Sequence, residues 1–348
     1  MISIHTFELT LETNSTLFNK LLSSAYKKAK KNKNRVGSST KHSTGDVRID
    51  DAFSSKGITI EYHNYEFRKM IKLCVNPSKI LGGNDIKLWN PNVYNIATVL
   101  DSLNDYIEDY FDSDYTMDDF SLTRIDFTAN LDVGRKNVLP YINLMHKIGK
   151  IKGFSHKYEK TDYDTGRINK EHSFDLKGNT NNIEFTVYDK ENDLKKKNKI
   201  KKSLKAKGIL RIEIRLKKRK AITKALSEFM NASALTTEEE FELLALNSKN
   251  VFGKWLVMVI PFGNYYKLKK AEEIIASADI KKKKREKMLS LLRLVPKKKS
   301  LYQAIKELKL RDIDEILELF AKLNVSPITI SKREDISFLE NLYNYLEL

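Results

Sequence analysis

Cysteine is almost missing from this sequence: Cys74 stands alone in 348 residues. An internal disulfide is therefore excluded, and the chain reads as a cytoplasmic protein. Cys74 lies in the apolar run MIKLCV, as a packed and inert thiol would. No run of 18 or more apolar residues occurs, so no membrane partner or span is expected. The N-terminus, MISIHTFELTLE, lacks a basic leader and a long apolar core, so it does not read as a signal peptide. There is no long-period repeat, and low complexity is confined to the lysine runs. No heptad seam is visible, and no G-x-x-G clamp supports RNA binding.

What is present is charge, unevenly placed. The chain is 41% hydrophobic, hence globular, and long enough for two domains. Its net charge is +17. Residues 191–220 hold 14 Lys/Arg against three acids, and residues 281–299 hold ten against one Glu, which leaves about −3 for everything else. A codon bias toward lysine would scatter the charge; clustering points to a polyanion, with nucleic acid the default. Lys217, Lys218, Arg219, Lys281, Lys282, Lys283, Lys284, Lys297, Lys298 and Lys299 are the candidate backbone contacts. Residues 101–119 carry eight acids and no Lys or Arg. They read as a solvated helix face, with a docking surface for a helicase as the other reading. Trp89 and Trp255 read as core anchors.

Three short segments share one pattern: 122–131 (LTRIDFTANL), 181–190 (NNIEFTVYDK) and 209–216 (ILRIEIRL). Apolar and polar residues alternate in each, as in a strand with one buried face. If the strands share a sheet, its polar side carries Asp126, Glu184 and Glu213, with Arg124, Arg211 and Arg215 and the phenol of Tyr188. Carboxylates suit a hard divalent cation, Mg²⁺ or Mn²⁺, and arginines suit phosphate. A tyrosine becomes a nucleophile when a neighbouring cation or base lowers its pKa, and Lys190 and Arg215 are placed for that role.

The remaining pattern is mixed in the first half and helical in the second. Residues 2–12 read as a strand and 15–32 as a helix. Residues 57–63 with 67–75, and 172–177 with 183–188, read as hairpins. Residues 92–111, 136–148 and 189–204 read as helices, the last lysine-rich. Beyond 218, helices are expected at 221–230, 237–246, 266–276, 281–292, 301–308 and 313–323, with Thr236 and Glu239 as a capping box. The pair 301–308 and 313–323, followed by a short strand at 328–330, has winged-helix spacing. The expected fold is α+β: an antiparallel-rich sheet with packed helices over 1–218, and an all-α, winged-helix-like domain over 219–348 that binds DNA or drives assembly.

The segment Arg124-Ile125-Asp126, the hairpin ending Val187-Tyr188-Asp189-Lys190, and the strand Arg211-Ile212-Glu213-Ile214-Arg215 follow one another in an order that resembles the rolling-circle replication initiators of small Gram-positive plasmids and, more distantly, the replication proteins of filamentous phages. The resemblance covers about 120–220. It implies a metal-dependent DNA nickase and strand transferase. Its tyrosine, here Tyr188, becomes linked to the 5′ end of the cut strand and leaves a free 3′-hydroxyl. It also implies double-stranded origin DNA and single-stranded DNA as partners, a host helicase, and a homodimer as one assembly state. Many tyrosine nickases carry a His-hydrophobic-His pair; none of the six histidines here is so paired, and His63 is the best single candidate for a ligand or base. Tyr158 and Tyr163 are rival nucleophiles. Two other functions stand beside this one: a non-enzymatic DNA-binding regulator, and a mobilisation relaxase or transposase.

Overall fold

The computed structural model describes residues 1–31, 35–39, 46–50, 56–84, 86–111, 115–156, 171–230 and 235–346. Tyr158, Tyr163, Asp112 and Asp114 lie outside these. The fold is α+β, and its chain divides into two compact units. Unit 1 comprises 1–128 and 215–251; unit 2 comprises 129–214 and 252–348. Each unit therefore draws on both the strand-rich part and the helical part of the sequence.

In unit 1 the strands are β1 (Ile2–Thr13), β2 (Arg35–Ser39), β3 (Asp46–Asp50), β4 (Ile58–Asn64), β5 (Lys69–Val75) and β6 (Ser121–Asp132), in the order β2-β3-β4-β5-β1-β6. The β4–β5 hairpin is antiparallel with Ile60 opposite Leu73, and β5 pairs antiparallel with β1 with Val75 opposite Phe7. Alternation in GITIEYH and KMIKLCV buries Ile58, Ile60, Tyr62, Ile71, Leu73 and Val75. The helix Val93–Phe111 buries Ile96, Val99, Leu103 and Ile107, the i, i+3, i+4 positions its sequence marks. The helix Thr237–Leu246 starts at the expected capping box on Thr236 and Glu239. It delivers Phe241 onto Phe7, with ring centroids 4.4 Å apart. Trp89 anchors the same core through Nε1, which donates to the Ile4 carbonyl at 2.6 Å.

Unit 2 continues β6 from residue 129 and adds β7 (Phe154–His156), β8 (Ser173–Gly178), β9 (Ile183–Asp189) and β10 (Ile209–Leu216), in the order β6-β10-β9-β8-β7. The β8–β9 hairpin is antiparallel, with Ser173 opposite Tyr188. The helix Val138–His146 packs on β8 and β9. The C-terminal helices include Lys282–Lys298, Leu301–Leu308 and Ile313–Lys322, and a small two-stranded sheet pairs β11 (Tyr265–Tyr266) with β12 (Phe338–Leu339). Tyr141 Oη donates to the Glu340 carbonyl at 2.8 Å, tying the Val138–His146 helix to the C-terminal segment.

Three local expectations change. The lysine-rich stretch 189–204 is two short helices, Lys190–Lys196 and Ile200–Ser203, because Asn198 adopts φ +56 and reverses the chain. The helix expected to stop at 292 runs to Lys298, through Pro296 in its final turn. The helix Ser248–Val259 had no sequence-based counterpart; its run WLVMVI is too uniformly apolar to show a period.

Candidate functional site

β6, β9 and β10 are not half-buried strands. Asp126 is 2% exposed, Glu184 1%, Arg211 0% and Glu213 2%, as buried as the apolar residues between them. A charge is tolerated there only if the protein pairs it. The expected alternation is present, but its polar side has been taken out of water, and each group has found a protein partner.

In unit 1, Arg124 grips Asp126 with two parallel bonds, Nε to Oδ1 at 2.8 Å and Nη2 to Oδ2 at 2.6 Å. Its Nη1 reaches Glu8 Oε1 at 2.6 Å, and Arg215 Nε lies 3.7 Å from Asp126 Oδ2. Burial opposes the charge on Arg124, but Asp126 and Glu8 outweigh it and raise its pKa. The same surroundings bear on Cys74: burial first, then Glu8, push its thiol up to about 12. The inert reading of this cysteine agrees with that. Arg219, a candidate DNA contact, is forked onto the carboxylate of Glu240, which is 1% exposed. Lys218 is exposed and Lys217 half-buried. His63 lies 3.3 Å from Glu61 through Nε2.

In unit 2, β9 carries Tyr188 and β10 carries Arg211 and Glu213, two residues apart on one side of the strand. The Tyr188 hydroxyl donates to Glu213 Oε1 at 2.7 Å. Arg211 Nη1 lies 3.7 Å from the same oxygen, and its Nε donates to Asn130 Oδ1 at 2.7 Å. Desolvation first, and then the Glu213 charge, hold the Tyr188 phenol well above its ordinary pKa, so it rests as a neutral donor. Lys190, 2% exposed, sits 5.7 Å from the centre of the Tyr188 ring and binds Asp193 Oδ2 at 2.9 Å. Desolvation, and then Arg211, lower Lys190 to about 8, where ammonium and amine are both accessible near neutrality. Asp193 was not singled out in the sequence; its signal is the i, i+3 spacing from Lys190 that opens a helix. His172, whose Nδ1 lies 3.2 Å from Asp189 Oδ2, was also not singled out.

The structure thus brings Tyr188, Lys190, Arg211 and Glu213 together in unit 2, and Arg124, Asp126 and Arg215 together in unit 1. Glu184 belongs to unit 2 and is buried. Among the described residues no group of three or more His, Cys, Asp or Glu side chains is placed to hold a metal ion. Asp126 and Glu213 already face arginine or tyrosine. The described residues therefore do not fit a preformed Mg²⁺ or Mn²⁺ site, and no chemical step below runs through one.

The basic helix Lys282–Lys298 divides its charges. Lys284 binds Asp312 at 2.9 Å and also Glu315, Lys287 binds Asp312 at 2.7 Å, and Lys298 binds Glu307 at 2.5 Å. Lys281, Lys282, Lys283, Lys297 and Lys299 are exposed.

No curated protein matches the sequence. A solved structure, the rolling circle replication initiator protein from Geobacillus stearothermophilus, is similar at 10% identity over 74% of this chain and 84% of that one, with a TM-score of 0.36. A phage family, described as the N-terminal region of a replication-associated protein, matches residues 24–241, and the chain belongs to that family.

Proposed function

We propose that this replication-associated protein initiates rolling-circle replication by cutting one strand of origin DNA with Tyr188. The observation that carries the reading is the 2.7 Å hydrogen bond from the Tyr188 hydroxyl to Glu213 Oε1, inside a buried set that also holds two cations, Arg211 and Lys190. A phenol held above its ordinary pKa is a weak nucleophile, so the proton must leave as attack begins. Glu213 is the base within reach. As the Tyr188 oxygen bonds to the scissile phosphorus, the bond from phosphorus to the 3′ oxygen breaks. The phenolic proton passes to Glu213, and the departing 3′ oxygen takes a proton from solvent. The tyrosine then carries the 5′ end. Arg211 and Lys190 supply positive charge against the extra negative charge of the transition state. One phosphodiester replaces another, so rejoining needs no ATP. Double-stranded origin DNA and its single strands are the proposed substrates.

The test is incubation of the full chain with supercoiled plasmid bearing the cognate origin, in Mg²⁺, in Mn²⁺ and in EDTA. Nicked circles with protein on the 5′ end are expected. Circles that shift on a gel but stay closed in every condition would make the chain a DNA-binding regulator. The divalent cation is a separate proposal: it stands if EDTA stops cleavage and added Mn²⁺ restores it, and falls if EDTA changes nothing.

A further inference from the structure

Unit 2 also contains an open cleft of about 510 Å³ that shares no lining residue with the surroundings of Tyr188. Four cations line it. Lys147 follows the helix Val138–His146, Lys299 caps the helix Lys282–Lys298, and Lys332 and Arg333 follow the buried Ile330. Its one acid is Glu334, which accepts from Asn143 Nδ2 at 3.1 Å. Leu268 and Pro296, both partly exposed, supply an apolar wall.

The cations have different duties. Lys147 Nζ donates to the Thr329 carbonyl at 2.6 Å and holds the segment leading into the cleft, where the short strand expected at 328–330 is reduced to a single bridge at Ile330. Burial lowers its pKa. Lys299, Lys332 and Arg333 are exposed and, among the described residues, form no ion pair. On the same helix Lys284, Lys287 and Lys298 are all spent on carboxylates. Three cations gathered at a concave surface and left to solvent repel one another unless an external anion joins them.

We propose that this cleft binds single-stranded DNA, with Lys299, Lys332 and Arg333 on backbone phosphates and an unpaired base against Leu268 and Pro296. A duplex offers phosphates on a convex face and keeps its bases stacked inside, so it cannot use a concave apolar wall. A single strand offers both the charge and the free base, and a cleft of this volume accepts a nucleotide. The choice of DNA over RNA rests on the nicking function proposed above.

The experiment is fluorescence anisotropy of the full chain with labelled dT12, a homopolymer that carries no origin sequence to be cut. Lys299→Gln, Lys332→Gln and Arg333→Gln are combined; all three are exposed, so the fold is unaffected. Affinity for dT12 is expected to fall about 10- to 100-fold, and the salt slope to shrink by about two. Affinity for a 12-base-pair duplex is expected to change less than about threefold. An abasic 12-mer is expected to bind the unmodified chain several-fold more weakly than dT12. Unchanged dT12 affinity in the triple variant would overturn the proposal. So would an equal loss for duplex, displacement of dT12 by equimolar dTMP, or tighter binding of rU12. A chain that holds dT12 through these residues but never nicks would refute the nicking function and leave this proposal standing.

Discussion

Arg124 in unit 1 and Arg211 in unit 2 are both arginines two residues away from a buried carboxylate on a central strand, yet their surroundings differ. Arg124 has two carboxylates, Asp126 and Glu8, and saturates both. Its effect is to weld β1 to β6. Arg211 shares Glu213 with a phenol and has a second cation, Lys190, nearby. That group contains a phenol donating to a buried carboxylate, and beside it a lysine titrating near 8. Chemistry needs groups whose protonation can change; structure needs groups whose protonation cannot. The same residue types serve both needs, and only the partners separate them.

The sharpest way to break this contrast is Tyr188→Phe. It should abolish covalent attachment to DNA while binding persists, and stability should fall by about 1–3 kcal/mol because the buried Glu213 carboxylate loses its hydrogen-bond donor; denaturing gels and a urea melt measure the two. Retained attachment would move the nucleophile elsewhere, with Tyr158 and Tyr163 next in line. Glu213→Gln keeps a hydrogen-bond acceptor but removes the base. Nicking should slow by about 10²- to 10⁴-fold in single-turnover kinetics.

In unit 1 the expected damage is to stability. Arg124→Ala leaves Glu8 without its cation and Asp126 with Arg215 alone. The cost should be about 2–4 kcal/mol in urea unfolding. This lies below the loss for a fully buried pair, because 24% of the Arg124 side chain is exposed. Nicking per folded molecule should persist. A collapse of nicking at unchanged stability would give the Asp126 group a chemical role and erase the contrast.

A smaller effect comes from pH. Lys190 titrates near 8 in the folded chain and near 10.5 when unfolded. Between those values the unfolded chain binds more protons, so Lys190 contributes stability that rises with pH across that window. Below about pH 8 the buried ammonium is a standing cost. Relative to Lys190→Met, the unmodified chain should therefore gain stability between pH 8 and pH 10; parallel curves would show that Lys190 keeps its ordinary pKa. Smallest of all, neutralising Lys281, Lys282 and Lys283 should weaken binding alike on all duplex sequences and reduce the salt slope by about three. A sequence-dependent loss would assign those lysines to base reading.

The strands that carry the candidate site were legible because period-2 alternation survives any environment. The hairpins at β4–β5 and β8–β9 and the capping box at Thr236 were legible for the same local reason. Membership of a phage replication family bears out the resemblance seen in the segments around Asp126, Tyr188 and Glu213. The break at Asn198 was not legible, since a left-handed residue depends on what the next helix packs against.

What the sequence determined alone is the α+β alternation, the charge clusters and the identity of the chemically capable side chains, all of which are local or additive properties. What only the tertiary structure decided is which distant partner each charge keeps: Glu8 with Arg124, Glu240 with Arg219, Glu213 with Tyr188. Pairing joins residues far apart in the chain, and desolvation multiplies the strength of whichever pair forms. No count of residues along a strand can announce either.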